Sequence, residues 1–81
     1  MTVRVLLFAV AREIAGSISV ELDAPQAATV ADVKDLLAEQ CPELRDILAR
    51  SAVAVDGRYA TPSQPVDPGV EVALIPPVSG G

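Results

Sequence analysis

One amphipathic helix, with a start signal and a stop signal in the sequence, limits the folds open to this chain. Thr29 is a helix-capping residue type, and Asp32 stands three positions later, where the acid of a capping box belongs. The apolar positions that follow lie on one face of a helix: Val30, Val33, Leu36 and Leu37. Pro42 should stop this helix after about three turns. A chain of 81 residues with one such helix must build the rest of its core from other elements.

Apolar runs before the helix predict two strands. Thr2 to Val10 is apolar on both alternating faces, which is typical of a central strand buried in a sheet. The next stretch, Ala11 to Ala15, has helix-favouring residues, and Gly16 can take the left-handed conformation that ends a turn. Ser17 to Leu22 then alternates and predicts a partnering strand.

The segment after the helix predicts three more strands. Pro42 to Arg50 suits a short second helix or an irregular turn. Ala52 to Val55 is β-prone, and Asp56-Gly57 is a two-residue hairpin signal before the return strand Arg58 to Ala60. A loop rich in proline leads to a final strand, Val70 to Ile75.

The order β-β-α-(α)-β-β-β predicts an α+β fold of the β-grasp type, in which a mixed sheet packs on one main helix and has one helix-covered face. Residues 1–75 form one domain in this interpretation. Residues 76–81 form an extended, flexible tail that ends in Gly80-Gly81.

Charge and composition argue against several classes of partner. The net charge of -5 repels nucleic acid and anionic lipid, and favours a basic protein surface. No run approaches the roughly 20 apolar residues that a membrane-spanning helix needs. The single cysteine, Cys41, cannot form an internal disulfide, and no secretion signal opens the sequence, so we expect a cytoplasmic protein.

The predicted domain contains no recognisable catalytic centre. Histidine is absent, so the commonest general base and metal ligand are missing. Cys41 has no histidine partner and is interpreted as a small buried hydrophobe. Lys34, the only lysine, is flanked by Asp32 and Asp35 and is interpreted as a solvated salt-bridge residue. We therefore expect no catalytic site within the predicted domain.

The tail is the remaining candidate for chemistry. Pro76-Pro77 stops the last strand and favours an extended exit, so Gly81 could reach roughly 15 to 20 Å from the sheet. Val78, Ser79 and Gly80 could then pass through a narrow channel of a partner, because glycine has no side chain. The ionised carboxylate of Gly81 resists nucleophilic attack, so adenylation by ATP must precede any transfer. A persulfide could then convert the adenylate to a thiocarboxylate.

Two motifs give the chain a family resemblance over its whole length. The segment Phe8 to Gly16 fits the pattern F-A-x-x-R-E-x-x-G, and the segment from Glu71 to Gly81 fits E-V-A-x-x-P-P-V-x-G-G. The sequence resembles the small subunits of molybdopterin synthases, a family of ubiquitin-like thiocarboxylate sulfur carriers. It departs from the family pattern at Asp67 to Val70, where the family often has an aspartate-glycine-aspartate turn.

The resemblance implies a protein substrate and not an enzyme, so we expect this chain alone to bind no metal, pterin or nucleotide. A ubiquitin-activating-like adenylyltransferase would adenylate Gly81, and a sulfur donor, either a sulfurtransferase or a cysteine desulfurase, would convert it to the thiocarboxylate. The synthase large subunit would then use the sulfur for the dithiolene of molybdopterin, in a heterotetramer of two carriers and two large subunits. Independently of the resemblance, apolar surface at the base of a tail suits partner binding, so we expect Phe8, Ile75 and Val78 to form part of an apolar docking patch around the tail exit. For Phe8 the alternative is ordinary core packing.

Three other functions fit parts of the pattern. A sulfur carrier for thiamine, cysteine or transfer-RNA thiolation would share the fold and the terminal glycine. A ubiquitin-like modifier would join Gly81 to lysines of target proteins. A plain interaction module would make no use of its C-terminus, so adding one residue after Gly81 would not impair it.

Overall fold

The computed structural model describes residues 1–77, which form a mixed sheet with helices on one side. The strands are β1 (Thr2–Leu7), β2 (Ser19–Asp23), β3 (Ala52–Val55), β4 (Arg58–Tyr59) and β5 (Val72–Ile75). The helices are α1 (Ala9–Ala15), α2 (Val30–Gln40) and α3 (Arg45–Leu48), and a 3-10 turn at Pro42–Leu44 precedes α3. The predicted β-grasp arrangement is confirmed.

The sheet has the order β2-β1-β5-β3-β4, so the first and last strands lie side by side in its interior. β1 and β5 run parallel, and Val5 pairs with Val72. All other neighbouring strands are antiparallel. Alternate residues of β1 and β5 face the core, and these are fully buried: Val3, Val5, Leu7, Val72 and Leu74.

Helix α2 covers the core side of the sheet through its apolar face. Val30, Val33 and Leu37 are buried, and the capping box predicted at its start is present. The Thr29 hydroxyl accepts a hydrogen bond from the backbone N–H of Asp32 at 3.3 Å, and the Asp32 carboxylate accepts one from the N–H of Thr29 at 2.9 Å. The helix ends before Pro42, as predicted.

The hairpin between β3 and β4 is also confirmed. Asp56 and Gly57 both have positive φ, 49° and 81°, which suits a two-residue hairpin turn. The Asp56 carboxylate accepts a hydrogen bond from the N–H of Glu71 at 2.9 Å. This bond ties the hairpin to the chain just before β5.

The predicted strand from Thr2 to Val10 was too long at its C-terminal end. The strand stops at Leu7, and α1 begins at Ala9, whose φ of 51° turns the chain out of the sheet. Ala11 on this helix is completely buried, which stabilises the helix against the core. The predicted element order therefore lacked one helix, although Gly16 does end α1 in the left-handed conformation.

Two strand boundaries also differ from the prediction. β2 starts at Ser19 and not at Ser17, because the Ser17 hydroxyl donates to the carbonyl of Ser19 at 2.7 Å and holds a turn there. β5 starts at Val72 and not at Val70, because the backbone of Glu71 bonds with Asp56 instead of with a strand.

We expect the Thr29→Ala substitution to lower the free energy of unfolding by about 1 kcal/mol, because it removes one acceptor of the capping box. Urea unfolding measures this change. Thr61→Ala is the matched control: Thr61 is exposed and its hydroxyl makes no hydrogen bond within residues 1–77. Equal effects of the two substitutions would show that the capping box does not stabilise α2.

Candidate functional site

The base of the C-terminal tail is held by the core. β5 ends at Ile75, and Pro76 follows it as a buried residue on the same side as Val72 and Leu74. Pro77 is exposed. The chain therefore leaves the sheet from an anchored proline. The predicted site residues Gly81, Gly80, Ser79 and Val78 lie outside the described residues.

The sheet face opposite the helices carries no helix within residues 1–77. It is polar toward β2, where Arg4, Ser19 and Glu21 lie, and apolar from Leu6 to β4. Strand register places a row of side chains across this face: Leu6 pairs with Ala73, Ala73 with Ala54, and Ala54 with Tyr59. Ala54 and Ala73 are buried without belonging to the core cluster. We call this surface the outer patch, and its members are Leu6, Phe8, Ala52, Ala54, Tyr59, Ala73 and Ile75.

Phe8 and Ile75 lie at the end of the outer patch from which the tail leaves. Phe8 keeps an extended backbone, with φ -120° and ψ 156°, so its side chain continues the alternation of β1 on the side of Leu6. The pairing of Leu7 with Leu74 brings Phe8 beside Ile75. Phe8 is 42% exposed and Ile75 is half-buried. Both predicted docking residues thus lie together, on apolar surface next to the tail base.

Tyr59 and the alanines of the outer patch were missed in the sequence analysis. Tyr59 is 75% exposed, the largest value among the exposed large apolar side chains of residues 1–77. The sequence could have placed Ala52, Ala54 and Tyr59 on one face of the sheet. The signals are the alternation in the strand before Asp56-Gly57 and the hairpin turn at those two residues. The strand order, which aligns them with Leu6, comes only from the structure.

The contacts of Lys34, on the helical side of the sheet, differ from those predicted. Its ammonium group donates a hydrogen bond to the backbone carbonyl of Ser51 at 3.3 Å, and the side chain is half-buried. No carboxylate within residues 1–77 lies at ion-pair distance from it. The lysine therefore joins α2 to the segment before β3 and is not the solvated salt-bridge residue that its neighbours Asp32 and Asp35 suggested.

Cys41 lies at the end of α2 and is partly buried against the core. Burial, and secondly the negative charge of Glu43, raise the pKa of its thiol. The thiol is therefore mostly protonated at neutral pH and is a poor nucleophile. This arrangement resembles the predicted small hydrophobe more than a reactive cysteine.

The described part of the chain offers no metal site. Residues 1–77 contain no group of three or more Cys, Asp or Glu side chains arranged to hold an ion. No helix among them has the length and apolar character needed to cross a membrane.

Comparison with known proteins identifies relatives over nearly the whole chain. Residues 5–81 match the model of the ThiS family. The molybdopterin synthase sulfur carrier subunit of Arabidopsis thaliana is 37% identical over 79 residues, covering 98% of this chain and 82% of that protein.

Solved structures share the fold. SAMP1, a small archaeal modifier protein from Haloferax volcanii, superposes with a TM-score of 0.89 at 34% identity, and each chain is fully covered. A chain in the complex of subunits 1 and 2 of the molybdopterin-converting factor from Helicobacter pylori has a TM-score of 0.71 at 23% identity, again with full coverage of both chains. The second likeness concerns the fold alone.

We expect the Cys41 thiol to react more slowly with iodoacetamide in the folded protein than in the same protein unfolded in urea. The raised pKa lowers the fraction of thiolate, which is the reactive form, at mildly alkaline pH. Mass spectrometry of timed samples measures both rates, with a free cysteine peptide in urea as the control for solvent effects. A folded protein that reacts as fast as the unfolded one would contradict this assignment.

Proposed function

Since this chain belongs to the ThiS family, we propose that it is the sulfur carrier subunit of a molybdopterin synthase, working in the cytoplasm. The observation that carries the proposal is the buried Pro76 at the end of β5, which the sequence ending in Gly80-Gly81 follows. The similarity to the plant sulfur carrier subunit supports the pathway. The apolar outer patch next to Pro76 supports a partner that receives the tail.

The chemistry proposed for Gly81 begins with activation. A carboxylate oxygen of Gly81 attacks the α-phosphate of ATP in a ubiquitin-activating-like enzyme, and pyrophosphate leaves. The terminal sulfur of a persulfide on a sulfurtransferase or cysteine desulfurase then displaces AMP, forming an acyl disulfide. A thiol cleaves the S–S bond and leaves the thiocarboxylate on Gly81. Every catalytic group in these steps belongs to the partners.

Sulfur delivery requires the large subunit of the synthase. The thiocarboxylate sulfur forms a bond to a carbon of a pterin precursor held by that subunit, the oxygen substituent of that carbon leaves as water, and the product is an acyl-linked thioester intermediate. Water then releases the sulfur to the precursor and returns Gly81 to its carboxylate form. Two successive carriers supply the two dithiolene sulfurs, in a complex of two carriers and two large subunits. Val78, Ser79 and Gly80 form the narrow part of the tail that passes into the partner.

A ubiquitin-like modifier is the second candidate, favoured by the likeness to SAMP1. In that function a lysine amine of a target protein attacks the activated Gly81 carbonyl and forms an isopeptide bond. Sulfur carriers for thiamine, cysteine or transfer-RNA thiolation share the same activated tail. The products separate these functions: molybdopterin, a lysine-linked protein, or a different thiolated molecule.

We expect deletion of Gly81 to abolish thiocarboxylate formation and molybdopterin synthesis while the domain stays folded. The deletion withdraws the reactive carboxylate by about 3.5 Å, and a displacement of even about 1 Å can cost around a hundredfold in rate. ATP-dependent thiocarboxylate formation and molybdopterin synthesis measure the effect. Thermal unfolding and binding to the large subunit are the controls, and both should change little. A truncated protein that supports synthesis at the intact rate would show that Gly81 is not the sulfur-carrying group.

We expect the Phe8→Ala substitution to weaken binding to the large subunit by about tenfold, because a buried aromatic side chain near the centre of an interface contributes strongly to affinity. Ile14→Ala is the matched control: Ile14 is 40% exposed, close to the 42% of Phe8, but lies on α1 and not on the outer patch. Isothermal titration calorimetry measures both affinities. Equal losses in the two variants would exclude a special role for the outer patch.

A further inference from the structure

A groove lies on the helical side of the domain. It has a volume of about 360 Å³ and lies between α2, α3 and the loop at Pro62. Its floor and walls are largely apolar, through Ala31, Ala38, Leu48 and Ala49. The polar side chains at the groove are Lys34, Asp35 and Arg45.

The register of the sheet places this groove close to Pro76. Ala52 pairs with Ile75 in antiparallel strands, so Ser51 lies across from Pro76, about 5 Å away. The ammonium group of Lys34 donates to the carbonyl of Ser51 at 3.3 Å. Lys34 thus lies between the groove and the tail base. The groove lies on the helical side of the sheet and the outer patch on the opposite face, and the contact from Lys34 to Ser51 connects the groove to the tail base.

The charge of the groove differs from that of the chain. Two cations, Lys34 and Arg45, stand against the single carboxylate of Asp35, whereas the whole chain has a net charge of -5. Arg45 is exposed, and no carboxylate of residues 1–77 lies at ion-pair distance from it. We call Lys34 and Arg45 the positive spot. A partner whose surface is mainly basic suits the acidic surface of this chain, and a single carboxylate on that partner suits the positive spot.

We propose that this groove receives a segment of the synthase large subunit, with a carboxylate against Arg45 and an aliphatic side chain against Leu48 and Ala38. This inference rests on the proposed function, since it assigns a second contact to the same partner. The guanidinium group of Arg45 suits a carboxylate because its donors can bind both oxygens at once. The apolar walls suit an aliphatic side chain, whose burial adds affinity without adding charge.

The second contact fixes the orientation of the carrier. A carrier held only by its outer patch contacts the partner on one side of the tail, whereas the groove adds a contact on the other side. The positive charge of Lys34 and Arg45 also favours one orientation of the carrier on its partner. A rotated carrier would place acidic surface against the partner's carboxylate, which is unfavourable. Arg45 is therefore a specificity-determining residue and has no role in the chemistry at Gly81.

The test compares two charge reversals of equal size, Arg45→Glu and Arg58→Glu. Arg58 is also an exposed arginine, but it lies on β4 next to the hairpin turn, at the end of the sheet away from the tail. Affinity for the large subunit of the same organism is measured by titration calorimetry at low and high salt, and thermal unfolding shows that each variant is folded. Arg45→Lys tests whether the charge alone suffices.

We expect Arg45→Glu to weaken binding by about tenfold or more, and Arg58→Glu by less than about threefold. Arg45→Lys should bind the large subunit more tightly than Arg45→Glu does, but less tightly than the wild-type chain. High salt should reduce the difference in affinity between Arg45→Glu and Arg58→Glu. Equal affinities of the two reversals at low salt would overturn the groove proposal while leaving the proposed function standing. A folded wild-type chain that does not bind the large subunit would instead contradict the proposed function.

Discussion

Parallel pairing between the first and last strands is the contact on which the rest of this molecule depends. It joins Val5, Leu6 and Leu7 to Val72, Ala73 and Leu74 across nearly the whole sequence. Closing so long a loop costs conformational entropy, which the burial of aliphatic side chains between sheet and helix offsets. Because parallel strands end at the same edge, the junction between β1 and α1 lies beside the base of the tail. The motif near the start of the sequence and the described part of the motif at its end, up to Pro77, therefore lie side by side.

The two faces of β5 differ in character. On one face the side chains of Phe8 and Ile75 extend an apolar patch, and on the other face Pro76 is buried. A partner that receives the tail can contact both faces. In the proposed function the domain supplies recognition and the base of the tail, while the chemistry resides in the carboxylate of the last glycine. Such a division requires neither a histidine nor a reactive cysteine in the domain.

Local signals in the sequence were sufficient for α2 and for the hairpin. Thr29 and Asp32 define a capping box by residue type alone, and Asp56-Gly57 favours positive φ at both turn positions. Ala9 shows where such reasoning fails. Alanine rarely adopts positive φ, so nothing in its identity indicates that the strand ends there. The surrounding packing, including the complete burial of Ala11, decides that conformation.

The sequence predicted which residues belong to the candidate site better than it predicted how they are arranged. The sequence placed Phe8 and Ile75 near the tail, but only the strand order aligns them with Tyr59 across the sheet. The prediction for Lys34 was wrong because helix spacing indicates only which residues of the same helix are neighbours. Its hydrogen-bond partner, Ser51, lies on another segment. Long-range contacts of this kind depend on how the elements pack, and local patterns do not contain them.

The intact mass of the protein purified from its native host tests the central claim most directly. Exchange of one oxygen for one sulfur, located at Gly81 by fragmentation, is the result that a sulfur carrier predicts. Addition of a sulfur atom at Cys41, or an unmodified C-terminus in cells that are making molybdopterin, would contradict it. The two sulfur products differ in mass because one replaces oxygen and the other does not, so a single spectrum distinguishes a thiocarboxylate from a persulfide.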